Sequence, residues 1–341
     1  MKKFIIALNI MWEHIKSFVL AVLIGLAIII ALCSILHNVF KIREIYQADR
    51  SGYKNLITVS DNRMNARTAG YGDQTVVILP DVGESSPIVR YKKYSDALSS
   101  NYRVVTLEYF GYGFSLSAKS ERTNIKFAQE IKGALEALGI PGPYIFLATG
   151  TSSMYAYTYS NLYPEDIQKL VIVDGIYPKS LEDEYTNKYV DDYMTNRSFT
   201  FFAEFTGYAR ILSYVSPHTF HIDQMRDLGF SDGDIKVYRK MIANRYYTSS
   251  MKKEIKELKN NMMQLQSYQY PNYMPVTQIL SSGYVEEVDA LIKEGLTKTK
   301  LEDYAKGLIT NSSIQTVETI DGEKSNLSFD NPMKVAEAIM K

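Results

Sequence analysis

Cysteine is nearly absent from these 341 residues, Cys33 being the only one, and histidine is limited to His14, His37, His218 and His221. One cysteine makes no internal disulfide, and so few soft ligands build neither a multi-cysteine zinc module nor a four-cysteine cluster. No metal and no cofactor are expected. Net charge is missing too: Lys plus Arg and Asp plus Glu each number 38, leaving no cationic surplus to neutralise phosphates, so nucleic acid is set aside as a partner. No internal repeat is visible, and no run of Pro, Gly or Ser cuts the body into independent units. A hydrophobic fraction of 46% excludes a wholly disordered chain, and the length suits one large α/β domain with insertions or roughly two domains.

Residues Phe18 to Leu36 carry no charge over nineteen positions, about what a helix needs to cross a hydrocarbon layer of roughly 30 Å. One transmembrane helix over 18–36 is expected. The alternative is a cleaved signal peptide, but its apolar stretch is shorter and ends in small residues, whereas Leu36, His37, Asn38, Val39 and Phe40 stand here. Leu32 is too bulky for lipoprotein processing at Cys33, which reads as a buried membrane cysteine. In residues 1–17, Phe4, Leu8, Met11, Trp12 and Ile15 recur at spacings of three and four, so this segment is either a surface-lying amphipathic helix or an extension of the span. Lys2, Lys3 and Lys16 before the span match Lys41, Arg43 and Arg50 after it, and the positive-inside count ties. The expectation is an uncleaved anchor in the cell membrane, single-pass, with the C-terminal body extracytoplasmic.

After a polar connector (37–52), Leu56–Val59 and Arg63–Thr68 flank the turn Ser60-Asp61-Asn62 as a hairpin. Thr75–Leu79, Arg103–Leu107, Tyr144–Leu147 and Leu170–Val173 are short apolar runs rich in β-branched residues, as for strands covered on both faces. Helical patterns lie between them at Ile88–Leu98, Thr123–Leu138 and Ser153–Leu162. The alternation predicts a mostly parallel, doubly wound α/β sheet with right-handed crossovers. It stops across 178–270, a helical, Met- and aromatic-rich stretch expected to form an inserted cap. It resumes at Val276–Leu280 and Ile314–Ile320, then a terminal helix Pro332–Met340 behind Asn331 as N-cap. The core is thus expected from 53–177 and 271–341.

Several local motifs carry a family resemblance. Thr106-Leu107-Glu108-Tyr109-Phe110-Gly111-Tyr112-Gly113-Phe114-Ser115, Glu121-Arg122-Thr123, and Tyr163-Pro164-Glu165-Asp166-Ile167 ahead of Leu170–Asp174 resemble the α/β-hydrolase fold family, in its bacterial, N-terminally membrane-anchored branch. The resemblance implies a serine at the strand-five elbow, a histidine after the last strand, an acid after Leu280 and an oxyanion loop after the first parallel strand. Counting from Pro143 and from Pro164 puts Gly150 at the nucleophile position, with Leu147 ending the strand. Ser325 stands where the histidine is due, and no histidine follows His221. Asp81 replaces the usual oxyanion-loop glycine; a carboxylate there, or at Glu84, opposes a developing oxyanion, although Gly83 offers a backbone donor. Glu286 and Glu287 sit at an unconvincing offset for the acid and read as the solvated start of a helix.

Two function classes compete. In one, the chain is a membrane-anchored pseudoenzyme with no catalytic residue, binding a small apolar ligand or a membrane protein partner near Asp81, Val82, Gly83, Thr149, Thr151, Ser152 and Ser153, beneath cap tyrosines. In the other it is an esterase-like or peptidase-like hydrolase using Ser152, in Gly150-Thr151-Ser152-Ser153-Met154, as a displaced nucleophile. The three departures at Gly150, Ser325 and Asp81 favour the first. His218 and His221 read as loop histidines, and Asp191-Asp192 and Asp232-Gly233-Asp234 as caps and turns rather than metal ligands.

Overall fold

The structure, a computed structural model, describes residues 2–182, 187–188, 190–191, 206–268, 273–308 and 314–340. Nothing in the first forty-nine residues breaks a helix, there being no proline and a single glycine, and the chain forms one helix, α1 (Lys2–Asp49). The segments read as amphipathic, spanning and connecting are therefore helically continuous. Residues 37–49, read as a polar connector, continue the helix, and their polar side chains find partners on the insertion, described below.

The hairpin forms as expected, β1 (Leu56–Val59) and β2 (Asn62–Ala69), turning through Ser60 at φ +55°. The apolar runs become β3 (Thr75–Leu79), β4 (Arg103–Glu108), β5 (Tyr144–Thr149), β6 (Ile167–Val173), β7 (Val276–Ser281) and β8 (Gln315–Ile320). Their order across one sheet is β1-β2-β4-β3-β5-β6-β7-β8, with β2 antiparallel to both neighbours and every pair from β4 to β8 parallel. β5 runs two residues past the expected end at Leu147, because Ala148 and Thr149 continue the ladder with β6. The helix expected over 88–98 splits at Tyr91 into α2 (Pro87–Arg90) and α3 (Lys92–Leu98). α4 (Asn124–Ala137) and α5 (Ser152–Leu162) cover the other face.

The insertion contributes α6 (Tyr208–Val215), α7 (Ile222–Asp227), α8 (Asp232–Arg245) and α9 (Ser249–Leu265); residues 192–205, 269–270 and most of 183–189 lie outside the described set. Ser231 and Asp234 close a capping box at the start of α8, the turn-and-cap role expected of Asp232–Asp234. α6 to α8 pack on Val89, Phe114 and Phe329, whereas α9 shares the sheet's own core through Met251, Ile255, Leu258, Met262 and Leu265. The chain ends in α10 (Ser282–Lys293), α11 (Leu301–Leu308), α12 (Leu327–Asp330) and α13 (Pro332–Met340). Asn331 does not cap α13 with its side chain, whose amide donates instead to the Asp321 carbonyl.

The resemblance motifs have physical roles here. Gly113 lies at φ +43°, and a Cβ there would meet the Glu108 carboxylate at 2.0 Å, so glycine leaves room for that buried group to accept the Phe114 N–H at 2.7 Å. Thr123 caps α4, and the enclosed Arg122 donates from Nη1 to both Glu130 carboxylate oxygens at 2.7 and 2.8 Å beneath Phe127. Beside it Glu254 of α9 accepts from the hydroxyls of Tyr112 and Tyr155, both at 2.6 Å, and joins the insertion to the core.

Burial pushes the Glu254 carboxyl up from 4.5 to about 7, and Glu108 up to about 7 for the same reason. The folded chain therefore holds these protons while the unfolded chain has released them, and stability falls as pH rises from 4.5 to about 7. Each group is worth roughly 3 kcal/mol across that window at 1.36 kcal/mol per unit. Urea unfolding of the full-length chain should show this slope, and Glu254→Gln, neutral throughout, should lessen it. An unchanged slope in the variant refutes the assignment.

Candidate functional site

β3 and β5 pair in register, Leu79 opposite Ala148, so the loops leaving them meet over the same edge of the sheet. Gly150 occupies the sharp strand-to-helix turn after β5 at φ +56°, and α5 starts two residues later. A Cβ on Gly150 would lie 2.3 Å from Asp81 Cγ and from both carboxylate oxygens. Asp81, from the loop after β3, thus fills the space into which a nucleophile side chain would project.

Its Oδ1 accepts the Val82 N–H at 2.7 Å, the Thr151 N–H at 2.8 Å and the Thr151 hydroxyl at 2.9 Å. In serine hydrolases of this architecture the oxyanion is received by the N–H after the nucleophile and one from the β3 loop. Thr151 and Val82 stand in those two places, and both donate to Asp81. The expected donor, Gly83, is not one of the pair. Glu84 faces elsewhere, paired with Arg90 at 3.1 Å.

Ser152 is fully enclosed. Its hydroxyl lies 2.8 Å from the Leu79 carbonyl and 2.9 Å from that of Thr149, and accepts the Thr149 N–H at 2.9 Å, so it fastens the elbow to β3. Ser153 donates to the Gly150 carbonyl at 2.7 Å and accepts the Ile176 N–H at 2.9 Å. Thr149 is buried with its hydroxyl unpartnered.

Ser325 lies at φ +59°, its N–H donating to Asp174 Oδ2 at 2.8 Å and its carbonyl accepting from Arg90 at 2.8 Å. Asp174, at the end of β6, also accepts the Ser281 N–H at 2.7 Å. Burial pushes its carboxyl up from the ordinary range, against the pull of those two N–H donors. The acid beside position 325 therefore follows β6, not β7. Sequence reasoning gave Asp174 no role, although its place after the Leu170–Val173 run was the available signal. Glu287 pairs with Lys324 at 3.0 Å, and α10 starts at Ser282 with Ser281 as its cap. His221 stacks on Phe329 and bonds Gln224 at 2.7 Å, with burial lowering its affinity for a proton. Neither it nor His218, beside Ser216, lines the cavity described next.

A cavity of about 210 Å³ opens over this edge, reached by Asp81, Val82, Gly150, Thr151, Asp174 and Ser325. Of the seven residues expected to contact a ligand it brings together Asp81, Val82 and Thr151; Gly83, Thr149, Ser152 and Ser153 stay outside, the last three turned into the packing of the elbow. Among the described residues its tyrosines are Tyr177, Tyr284 and Tyr304, none from the cap, and the insertion supplies Ser180, Val190, Leu258 and Met262.

No family model matches the chain. It is 20% identical over 261 residues to an uncharacterized protein, YbdG, of Bacillus subtilis, covering 76% of this chain and 74% of that one. Among solved structures it resembles a single-residue mutant of an epoxide hydrolase from Bacillus megaterium (TM-score 0.61, 16% identity, 84% of this chain and 98% of that one). It also resembles a haloalkane dehalogenase variant from Bradyrhizobium elkanii (0.56, 14%, 84% and 94%) and the thioesterase domain of the curacin biosynthetic pathway (0.54, 15%, 84% and 98%). With the eight-stranded, mostly parallel sheet and the elbow after β5, these likenesses establish that the chain has the α/β-hydrolase fold.

Proposed function

We propose that this chain is a membrane-anchored, single-pass α/β-hydrolase-fold protein that does no serine-hydrolase chemistry and uses its residual cavity to bind a small apolar ligand or a membrane partner. One observation carries the reading: the Asp81 carboxylate takes the nucleophile's space over Gly150 and both N–H donors at Val82 and Thr151. A developing oxyanion finds those donors engaged and a negative charge between them. No imidazole replaces the base at Ser325, so a hydroxyl at the elbow would stay protonated. The competing hydrolase reading needs Ser152 as nucleophile, and its enclosed hydroxyl, held between the Leu79 and Thr149 carbonyls, supports a structural role.

A cavity of about 210 Å³ is below the range of drug-sized sites, which supports a ligand of few atoms. α1 contains the long apolar stretch, Asn9–Gln47, that passes as a membrane span by length and composition. The body is assigned to the extracytoplasmic side, as for an uncleaved anchor.

The crowding at the elbow gives a thermodynamic test. Gly150→Ala adds a Cβ against Asp81 at a positive φ and should lower unfolding stability by about 2 kcal/mol. In a double-mutant cycle, Asp81→Ala should recover much of that loss, giving a coupling well above the additivity limit of about 0.5 kcal/mol. Strict additivity denies the contact.

The chemistry is tested on the full-length chain with activated esters and a fluorophosphonate that labels nucleophilic serines. Wild type, Gly150→Ser and Ser152→Ala should all stay at background, because each lacks the base and keeps Asp81 in place. Asp81→Ala/Gly150→Ser/Ser325→His, which frees the two N–H donors and sets an imidazole beside Asp174, should acquire labelling. Turnover in the wild type that disappears in Ser152→Ala would establish the hydrolase reading instead.

A further inference from the structure

The insertion helix α6 has its amphipathicity reversed. Ala209 and Ser213 face the body and are buried, while Tyr208, Ile211, Tyr214 and Val215 are 53, 51, 66 and 73% exposed. Spacings of three, four and seven put these four on one side of the helix, an apolar stripe with tyrosines at both ends.

The stripe's position relative to α1 says what covers it. Arg210 of α6 reaches His37 at 3.4 Å and forms an ion pair with Glu44, two residues on one face of α1. Glu44 also accepts from Asn244 at 3.0 Å, and Gln47 from Lys240 at 2.9 Å, both on α8. The uncharged run of α1 ends at Leu36. At 1.5 Å per residue His37 lies about 1.5 Å, and Glu44 about 12 Å, beyond that end. A bilayer's headgroup layer is roughly 5–7 Å deep on each side of its hydrocarbon core. Arg210, bridging both, is held between those two levels, across the headgroup layer and its water-facing edge, and α6 cannot rise away without breaking the bridge. Exposed Val39 and Phe40 of α1, about 4.5 and 6 Å beyond the same end, continue the apolar surface at the level of that layer.

We infer that α6 lies in the headgroup layer of the bilayer that α1 enters, burying Tyr208, Ile211, Tyr214 and Val215 among lipids and holding the body against the membrane. Burial of that stripe gains from the hydrophobic effect, and tyrosine rings suit a layer that is apolar at one end and wet at the other. The inference rests on the reading of α1 as a membrane anchor.

The test uses the full-length chain in nanodiscs of phosphatidylcholine and phosphatidylglycerol. The single native tryptophan is replaced (Trp12→Phe), and one tryptophan is returned at a time: Ile211→Trp, Val215→Trp, Leu26→Trp in the centre of the apolar run, or Tyr71→Trp in the exposed β2–β3 loop. The probes at 211 and 215 should have blue-shifted emission, lose most of their acrylamide quenching, and be quenched by lipids brominated near the headgroup; the probe at 71 should behave oppositely. If Leu26→Trp is quenched by deeply brominated lipids while 211 and 215 remain open to acrylamide and indifferent to bromine, docking fails and anchoring stands. If Leu26→Trp is itself unquenched by lipid, the anchor reading fails and docking with it. Protection from acrylamide at 211 and 215 without bromine quenching means that protein covers the stripe, and this too overturns the inference.

Discussion

The hydrogen bonds from Val82 and Thr151 to a single carboxylate oxygen decide how the loops after β3 and β5 meet. Two N–H groups converging on one point form an electropositive pocket, and an unpaired buried donor is costly, so the pocket requires an acceptor. In a hydrolase the acceptor arrives with the substrate. Asp81 supplies it from within the chain, and the same side chain needs the volume that a residue larger than glycine at position 150 would occupy. Asp81 in this seat therefore requires glycine at the elbow, and the two positions are read together.

That solution recurs along the rim. Asp174 joins the loop after β6 to Ser281 at the end of β7 and to Ser325 beyond β8, and Glu108 holds Phe114 and Asn65 at the end of β4. Each carboxylate accepts backbone N–H groups from loops that would otherwise leave the sheet's edge independently. Such hydrogen bonds, made in low dielectric, fix position as well as energy. Carboxyl groups that elsewhere would orient a base or bind a substrate are here engaged with the fold itself.

The sheet was legible because buried strands read as continuous β-branched runs, and Thr75–Leu79 has the same limits in the structure. Gly150 was legible by counting between two prolines, and its positive φ follows from the turn. Less accessible was which oxygen meets which N–H: Asp81 stood out as a carboxylate in an oxyanion loop, but its seat over Gly150 depends on the β3–β5 register, a long-range property. Asp174 escaped notice for the same reason, since its neighbour Ser325 is 151 positions away. Ser152 and Ser153 read as exposed elbow hydroxyls in the sequence, while in the folded turn they bond the backbone of Leu79, Thr149, Gly150 and Ile176 and lie outside the cavity.

Residues 37–49 show why composition misleads at the end of a long apolar run. A polar segment after an apolar run reads as a connector, but His37, Glu44 and Gln47 repeat at seven and three residues, which in a continuing helix sets them on one face. That face meets Arg210, Lys240 and Asn244, and the far end of α8 is tied to the core through Asp234 and the Tyr53 hydroxyl. Enzymes that admit substrate under a cap need it to swing, with few contacts at the hinge. Here the insertion is bound at one side to α1, at another to the core through Glu254 and its two tyrosines, and Arg210 and Glu44 are largely shielded from water, where an ion pair is least weakened by salt. Opening the described part of the insertion would break those contacts together, so α1 on one side and Glu254 on the other hold it closed against the sheet.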